Sequence, residues 1–282
     1  MRVTAVEIHT TTLEEPIEIP LDSSDPKARY AIKSIIGLDA DAIFAKFDGW
    51  NLNDGSGFYS LNMHSREIVM QVGLRPRFEM DETYSDIRDE LYRAISATRT
   101  GLIELRFKAG AFYISSIVGS INKVEADLFT NSPEVRITFA CDDPMFRGIN
   151  PVVYEPASLG ANRLVVVPDS LSTAPHGFEM QVTFHATSAQ FNIQDDPVDP
   201  TWVFQVIPSG GFAIGDVLNI SSEVSNKQIN YVRSGVTTQL ADKISPSSVW
   251  PIIFPGMNAF HFMEYNKFNW NYLQFNPCYW GV

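Results

Sequence analysis

The second half of the chain most constrains the fold, because it alternates apolar and polar residues and shows no helical period. In FEMQVTFH, the apolar residues Phe178, Met180, Val182 and Phe184 alternate with polar residues. Successive side chains of a strand point to opposite faces of a sheet. The pattern therefore predicts a strand with one buried face and one face in water.

Similar short runs recur between Gly148 and the C-terminus, and turn-forming residues separate them. The clearest are residues 162–168, 201–208, 212–221, 227–235, 257–265 and 269–280. This spacing predicts an antiparallel β-sandwich over residues 148–282. The preceding stretch, VRITFACDDPMFRG (135–148), predicts a strand that ends at a Pro-containing turn and closes a first domain.

One segment of the first half predicts a helix, over residues 83–98. Four apolar residues follow each other at spacings of 3, 4 and 4, which places them on one helix face. They are Tyr84, Ile87, Leu91 and Ile95. Asp81 or Thr83 can cap the start of this helix, and Arg99 and Gly101 mark its end. The rest of residues 1–147 consists of short β-like runs broken by Gly, Asn and Pro, including predicted turns at 108–110 and 130–133.

The charge of the chain argues against a protein that grips nucleic acid. The net charge is −12 and Lys and Arg form no cluster, whereas phosphate binding requires concentrated positive charge. No apolar run reaches the length of a membrane-spanning helix, and the N-terminus does not resemble a signal peptide. We therefore expect a soluble protein made in the cytoplasm. Cys141 and Cys278 stand far apart and outside any C-x-x-C motif, which predicts two reduced, buried thiols.

The sequence contains no motif that predicts catalysis. The five histidines show no metal-ligand spacing, so neither a metal site nor a cofactor is expected. Three acid pairs could in principle serve a glycoside hydrolase, but each lies beside Pro or Gly in a predicted turn, where Asp binds local backbone amides. These pairs are Asp39 with Asp41, Asp142 with Asp143, and Asp195 with Asp196. A glycoside hydrolase is therefore the least supported of the functions considered.

Aromatic residues of the second half are the candidates for a contact with carbohydrate or with a partner protein. They are Trp202, Trp250, Trp270 and Tyr272. Strict alternation along NWNYLQF (269–275) predicts that Trp270 and Tyr272 share one face. Large aromatic residues also dominate the interiors of sandwiches, so this pair is either buried or a contact surface.

Four stretches in the same order give the chain a family resemblance. They are IIGLDADAI (35–43), REIVMQVGLRP (66–76) with the helix after it, VRITFACDDPMFRG, and the late run GDVLNIS, KQINYVRSG and WPIIFPGMNAFHF. Together they resemble the distal tail proteins of bacteriophages with long non-contractile tails. Each stretch alone is only a strand and a turn, and their joint order carries the resemblance.

The resemblance implies a mainly β protein with two domains. Residues 1–147 would form a ring-forming belt domain, a tail-tube-type β-barrel or sandwich with one helix, and residues 148–282 a galectin-like sandwich. Six copies would form a ring at the distal end of the tail of the virion, without catalysis. The implied partners are the tail tube protein, the hub or tip protein, and receptor-binding or side-fibre proteins. DNA would pass through the lumen without specific binding.

Two points remain open at this stage. The alternative function is a carbohydrate-binding sandwich that contributes to adsorption on the host surface. The net charge of −12 has two possible roles. The acidic residues either line the lumen and repel passing DNA, or they simply keep the protein surface soluble.

Overall fold

The computed structural model describes residues 3–10, 15–21, 28–39, 65–96, 102–127, 133–154, 164–196, 198–224 and 226–282. The chain divides into two compact units. Unit 1 comprises Met1–Ile149 together with Tyr279–Val282, and unit 2 comprises Asn150–Cys278. The last four residues thus belong to unit 1, whereas the sequence pattern assigned them to the second domain.

Unit 1 is built from antiparallel strands and one α-helix. The strands are β1 (Ala5–His9), β2 (Ile17–Pro20), β3 (Tyr30–Ile36), β4 (Arg66–Leu74), β5 (Ile103–Ala109), β6 (Phe112–Asp127), β7 (Glu134–Cys141) and β8 (Phe146–Arg147), and the helix is α1 (Tyr84–Ser96). Hydrogen bonds join them in the order β2-β1-β5-β6-β7-β4-β3. The described strands leave this path open, without closure into a barrel.

Helix α1 confirms the one helix predicted from sequence, together with its apolar face. Ile87, Leu91 and Ile95 are buried in the core of unit 1. Thr83 caps the helix, since its hydroxyl accepts from the Asp86 amide while the Asp86 carboxylate accepts from the Thr83 amide. This reciprocal arrangement satisfies amides that the first turn leaves unpaired.

Unit 2 contains two antiparallel sheets, as the alternating pattern predicts. Its strands are β9 (Val152–Tyr154), β10 (Leu164–Asp169), β11 (Glu179–Phe184), β12 (Phe191–Gln194), β13 (Val203–Val206), β14 (Val217–Ser221), β15 (Gln228–Arg233), β16 (Val236–Gln239), β17 (Gly256–Phe262) and β18 (Phe268–Phe275), followed by β19 (Cys278–Tyr279), which ends in unit 1. One sheet has the order β10-β17-β12-β13, and the other β16-β15-β14-β11-β18-β9. One core cluster takes buried side chains from both sheets.

Strand β11 shows why the sequence was informative here. Phe178, Met180, Val182 and Phe184 are buried, and the residues between them are partly exposed. The mainly β fold class is confirmed in both units.

The turns follow the expected residue chemistry where the structure describes them. Gly110 and Ala111 connect β5 to β6, and Gly110 has a positive φ of 62°. Gly37 has a φ of 92°, and a Cβ built there would lie 2.1 Å from the Glu67 carbonyl oxygen, so only glycine fits. Several predicted features lie outside the described residues: Asp41, His64, Arg99, Gly101 and most of the turn at 130–133. No helix among the described segments is long and apolar enough to cross a membrane.

Candidate functional site

The four predicted aromatic contact residues do not form one platform. Trp270 is only 6% exposed and lies edge-on to Phe262, with ring centroids 4.8 Å apart, so it belongs to the core. Trp202 and Trp250 are half-buried at the rim of the core, where they pack against Phe260 and Phe204 respectively. Tyr272 is partly exposed on β18. Of the four, Tyr272 is therefore the aromatic residue with a place on the outer sheet face.

A β-bulge explains why strict alternation fails along β18. Trp270 pairs with Val182 and Tyr272 pairs with Gln181, so Asn271 is an extra residue without a partner on β11. A bulge shifts the phase of the strand by one residue. Trp270 faces the core before the bulge, and Leu273 faces it after the bulge. The prediction that Trp270 and Tyr272 share one face is wrong for this reason.

The outer face of the six-stranded sheet carries a row of polar side chains that are uncharged except for Glu179. We call this surface the amide face; it consists of the partly exposed residues Glu179, Gln181, Thr183, Asn219, Asn230, Asn271, Tyr272 and Gln274. It spans strands β15, β14, β11 and β18.

The amides form a hydrogen-bonded chain with one direction. The Thr183 hydroxyl donates to Asn271 Oδ1 (3.1 Å), and Asn271 Nδ2 donates to Gln181 Oε1 (2.5 Å). Gln181 Nε2 then donates to Asn219 Oδ1 (2.7 Å), and Asn219 Nδ2 donates to Asn230 Oδ1 (3.2 Å). Each amide of this chain is thus oriented by at least one hydrogen bond to its neighbour.

One carboxylate borders this row. Gln274 Nε2 donates to Glu179 Oε2 at 2.9 Å, and these residues face each other across β11 and β18. Burial, and to a lesser degree the charge of Glu179, raise the pKa of the Tyr272 hydroxyl, which therefore stays protonated near neutral pH. Neutral donors, neutral acceptors and an aromatic ring suit an uncharged polar ligand and supply no acid–base pair for catalysis.

Two of the three acid pairs lie in described turns, as predicted. Asp195 accepts hydrogen bonds from the backbone amides of Thr201 and Trp202, and from the Thr201 hydroxyl. Asp196 accepts from the amides of Val198 and Asp199. These carboxylates stabilise the connection between β12 and β13 and do not face each other across a cleft.

The second described pair behaves in the same way. Asp143 accepts from the Met145 amide at 3.1 Å and forms an ion pair with Arg147 at 2.8 Å, whereas Asp142 is exposed. The backbone carbonyl of Asp39 accepts a hydrogen bond from Arg66. The predicted partner of Asp39, Asp41, lies outside the described residues.

The buried histidine of unit 2 holds a turn together. His176 Nε2 lies 2.9 Å from Asp169 Oδ2, and both side chains are 1% exposed. Asp169 also accepts from the amides of Leu171 and Ser172. Burial raises the pKa of Asp169, but these hydrogen bonds and that of His176 outweigh it and lower the pKa below the usual range. The described residues contain no cluster of three or more His, Cys, Asp or Glu that could hold a metal ion.

Sequence reasoning missed the buried arginine of unit 1. Arg66 is 1% exposed and donates to four backbone carbonyl oxygens. Its Nε donates to Pro144 (2.7 Å), Nη1 to Gly37 (2.6 Å) and Asp39 (3.1 Å), and Nη2 to Trp280 (2.6 Å). Three distant segments, including the C-terminal residues, therefore meet at one guanidinium group.

The surroundings of Arg66 are largely apolar. Its guanidinium carbon lies 4.6 Å from the centroid of the Phe146 ring. Burial lowers the pKa of Arg66 and raises that of the neighbouring Cys141 thiol to about 11. Cys141 and Cys278 are both buried thiols outside any disulfide, as predicted. Arg66 stands at the start of a strand, and the surrounding sequence does not indicate that its side chain binds these distant carbonyl groups.

The sequence likewise did not reveal an ionic network on the outer face of unit 1. Glu7, which is 5% exposed, accepts from Lys108 Nζ (2.8 Å), the Tyr113 hydroxyl (2.7 Å) and His9 Nε2 (2.8 Å). Burial acts to raise the pKa of Glu7, but these hydrogen bonds outweigh it and lower the pKa to about 2. Glu18 forms a second ion pair with Lys108. The network joins β2, β1, β5 and β6.

These observations define a class of protein: a mainly β chain of two units, each with its own core and without a recognisable catalytic centre among the described residues. This architecture is that of the Dit protein of phage SPP1, a paradigm of the hub adsorption apparatus in phages that infect Gram-positive bacteria. The two structures superpose with a TM-score of 0.61 at 13% sequence identity, over 97% of this chain and 98% of that chain. The fold implied by the sequence resemblance is thereby confirmed.

Two structures of the phage p2 baseplate in its activated conformation give weaker matches. The strontium-containing structure has a TM-score of 0.47 and 11% identity, and the calcium-containing structure 0.48 and 9%, each over 98% of both chains. We base no argument on these two scores. No family model matches the sequence, and no curated protein matches it either.

Proposed function

We propose that this chain is a structural, non-enzymatic protein of a bacteriophage tail tip. The observation that carries the proposal is the fold shared with the SPP1 Dit protein, which extends over 97% of the chain. A β-sandwich alone serves many unrelated functions. A fold match that includes both units in the same order restricts the possible functions much more than a β-sandwich alone does. It also agrees with the family resemblance of four sequence stretches.

In detail, six copies form a ring at the distal end of the tail. The first domain, residues 1–147, builds the ring, and the second, residues 148–282, projects as a galectin-like sandwich. The ring joins the tail tube protein to the hub and to receptor-binding or side-fibre proteins. The acidic net charge of −12 supports a lumen through which DNA passes without being retained. Cyclic symmetry requires that one face of each copy meets a different face of the next.

The oligomeric state tests the ring. We expect light scattering of the purified chain to give about six times the mass of one chain, or twice that for stacked rings, with an open centre in negative-stain images. A two-fold dimer would contradict the ring, because a closed isologous interface leaves no surface for further copies. The tail-tip role is tested separately by gold-labelled antibody on virions, where we expect labelling at the distal tail end only.

A second candidate function is supported by the amide face. Tyr272 lies opposite Gln181 on the same outer sheet face, and planar polar groups beside an aromatic ring are suited to the hydroxyls and the apolar face of a neutral sugar. This candidate retains Tyr272 from the predicted contacts and replaces Trp270, which is buried in the core, by Gln181 and Asn219.

A glycan array with matched variants separates the two candidates. If the amide face binds sugar, Tyr272→Ala removes the signal, whereas Trp202→Ala on the other sheet leaves it unchanged. Signal that survives Tyr272→Ala and Gln181→Ala would place sugar binding elsewhere. If the array shows no binding while the ring still forms, only the structural role is supported.

A further inference from the structure

Strand β16 is the one strand in the described part of unit 2 whose residues are all exposed. Val236, Thr237, Thr238 and Gln239 bury no side chain on either face, although β16 ends the six-stranded sheet. We propose that the free edge of β16 binds an extended strand of a different protein, which places Asn or Gln opposite Gln239. The inference rests on β16 itself and does not depend on the tail-tip role.

Local geometry holds β16 in place before any partner binds. Ser234 and Gly235 connect it to β15, with positive φ values of 50° and 80°, as a type I′ hairpin turn requires. At the other end, Leu240 is buried in the core of unit 2, and its amide donates to the Ile229 carbonyl at 2.9 Å. The strand is therefore preformed, which lowers the entropic cost of binding.

The hydrogen-bond phase shows which backbone groups face the free edge. The two-residue turn closes on the pair Arg233 and Val236, and Leu240 again bonds inward to β15. Alternate residues of an edge strand point their N–H and C=O groups away from the neighbour. The backbone groups of Thr237 and Gln239 therefore point outward, and β15 is the neighbour of β16 within the described residues.

Two other sheet edges, both in unit 1, carry the usual protection against strand addition. Strand β2 contains Glu18 and Pro20, and β3 carries Lys33 at a register shift. Charge, proline and bulges at edges all hinder pairing with another chain. Strand β16 has none of these features, since its sequence is Val-Thr-Thr-Gln.

Edge strand β13 of the four-stranded sheet is protected differently, because the chain itself covers it. The amides of Ser245 and Val249 donate to the carbonyls of Gln205 and Val203 at 2.9 and 3.0 Å. The covering segment thus occupies the position that an added strand would take. The contrast leaves β16 as an uncharged, uncovered edge of strand-favouring residues.

The amide face identifies the partner that fits this edge. Gln239 is the cross-strand neighbour of Asn230, where the chain of amides that begins at Thr183 ends. Polar side chains directly opposite each other across strands stabilise the pair, and stacked Asn or Gln side chains form ladders. An added strand with Asn or Gln opposite Gln239 therefore places a further amide beside the cross-strand pair of Asn230 and Gln239.

A second copy of this chain fits less well. Because outward-pointing residues must lie opposite each other, antiparallel self-pairing along the whole of β16 sets Thr237 opposite Gln239 and Thr238 opposite itself. Such a pair sets Gln239 against a threonine and not against an amide. We therefore assign the edge to a strand from another protein, with uncharged, β-favouring residues and one amide in register.

A peptide with the sequence of β15 is a suitable probe, because it is an extended strand of this sheet that carries one asparagine able to lie opposite Gln239. In KQINYVR (227–233), Asn230 faces Gln239. We expect the fluorescently labelled peptide to bind the full chain at millimolar concentration in an anisotropy titration, with slower hydrogen exchange in residues 236–239. Replacing the asparagine of the peptide by aspartate should weaken binding about tenfold, because it places a charge at the ladder.

Variants at Thr237 distinguish the free edge from the paired one. Thr237→Pro removes one outward N–H and leaves the bonds to β15 intact, so we expect at least about tenfold weaker binding. Thr237→Lys places a positive charge on the edge, which hinders pairing with another strand, and should also weaken binding. It replaces the proline variant if that variant does not fold. Thr237→Val, which keeps the backbone donor, is the matched control with unchanged affinity.

Three outcomes would overturn the proposal. They are no binding of the peptide at millimolar concentration, equal binding to the Thr237→Pro and Thr237→Lys variants, and a dimer that disappears on Thr237→Pro while the peptide remains unbound. The last result would assign the edge to a second copy of the chain.

Discussion

The two units build β-sheet cores from different side chains. The core of unit 1 is mainly aliphatic and includes the face of helix α1, whereas phenylalanine is the most frequent residue in the core of unit 2. In unit 2, Phe184 stacks on Phe212 with ring centroids 4.4 Å apart and meets Phe268 edge-on at 6.0 Å. Aromatic packing depends on ring geometry as well as on buried area, so the core of unit 2 is expected to tolerate shape changes less well.

The outer faces differ as well. Unit 1 carries the ionic network around Glu7, whereas the six-stranded sheet of unit 2 carries the amide face. Only five of the 21 Lys and Arg residues of the sequence lie in unit 2. The outer face of unit 1 should therefore contribute a pH-dependent part of its stability through Glu7, while the amide face of unit 2 should contribute little pH dependence. The following four variants test this contrast.

We expect the largest effect from Phe184→Ala, which should destabilise unit 2 by about 3–5 kcal/mol because it leaves a cavity among stacked rings. Hydrogen exchange followed by mass spectrometry can measure the loss separately in each unit. Phe254→Ala, at a side chain that is 46% exposed, is the control with a small effect. Equal loss of protection in unit 1 would show that the units unfold together and would break the comparison.

Arg66→Met should destabilise unit 1 by about 3 kcal/mol, since it leaves four backbone carbonyls without their donor. We expect faster hydrogen exchange near Pro144 and Trp280, with unit 2 unchanged. Arg136→Met, at an exposed position of β7, removes the same charge without these contacts. Similar stability of the two variants would mean that the carbonyls find water instead.

The pH dependence should distinguish the units through Glu7. Its pKa falls from 4.5 when unfolded to about 2 when folded, so its contribution is complete above about pH 4.5 and is lost as the pH falls towards 2. The loss amounts to about 2–3 kcal/mol in unit 1. Urea unfolding at several pH values should show this slope in the parent chain and a shallower one in Glu7→Gln. The exposed Glu67→Gln is the control, and an equally shallow slope there would refute the assignment.

The smallest effect concerns the helix cap. Thr83→Ala removes the hydroxyl that accepts from the Asp86 amide and should cost about 1 kcal/mol in unit 1. Thr83→Ser keeps the hydroxyl and should cost less. Thermal unfolding monitored by circular dichroism measures both variants, and equal melting temperatures for Ser and Ala would show that the cap contributes little.

Much of the secondary structure followed from local patterns. Helix α1 could be predicted because its apolar residues recur at the helical period and Thr83 precedes the first turn. Strand β11 could be predicted because one face is buried and the other is wet along its whole length. In both elements each local preference agrees with the tertiary environment.

Prediction failed where a contact depends on residues far apart in the sequence. The bulge at Asn271 arises from the pairing of β18 with β11, and no residue of β18 alone signals it. The same is true of the amide face, whose members come from four strands. Alternation assigns polar residues to a face, but only the register decides which amides meet.

The sequence by itself therefore determined the mainly β class, the single predicted helix, the turn roles of the acid pairs and a family resemblance that the shared fold supports. Each of these follows from periodicity or from side chains that bind their own local backbone. Only the tertiary structure decided that Trp270 is buried, that Arg66 binds the C-terminal segment, and that β16 is left as an unprotected edge. These features depend on strand register and on long-range approach of backbone groups, which no local pattern records.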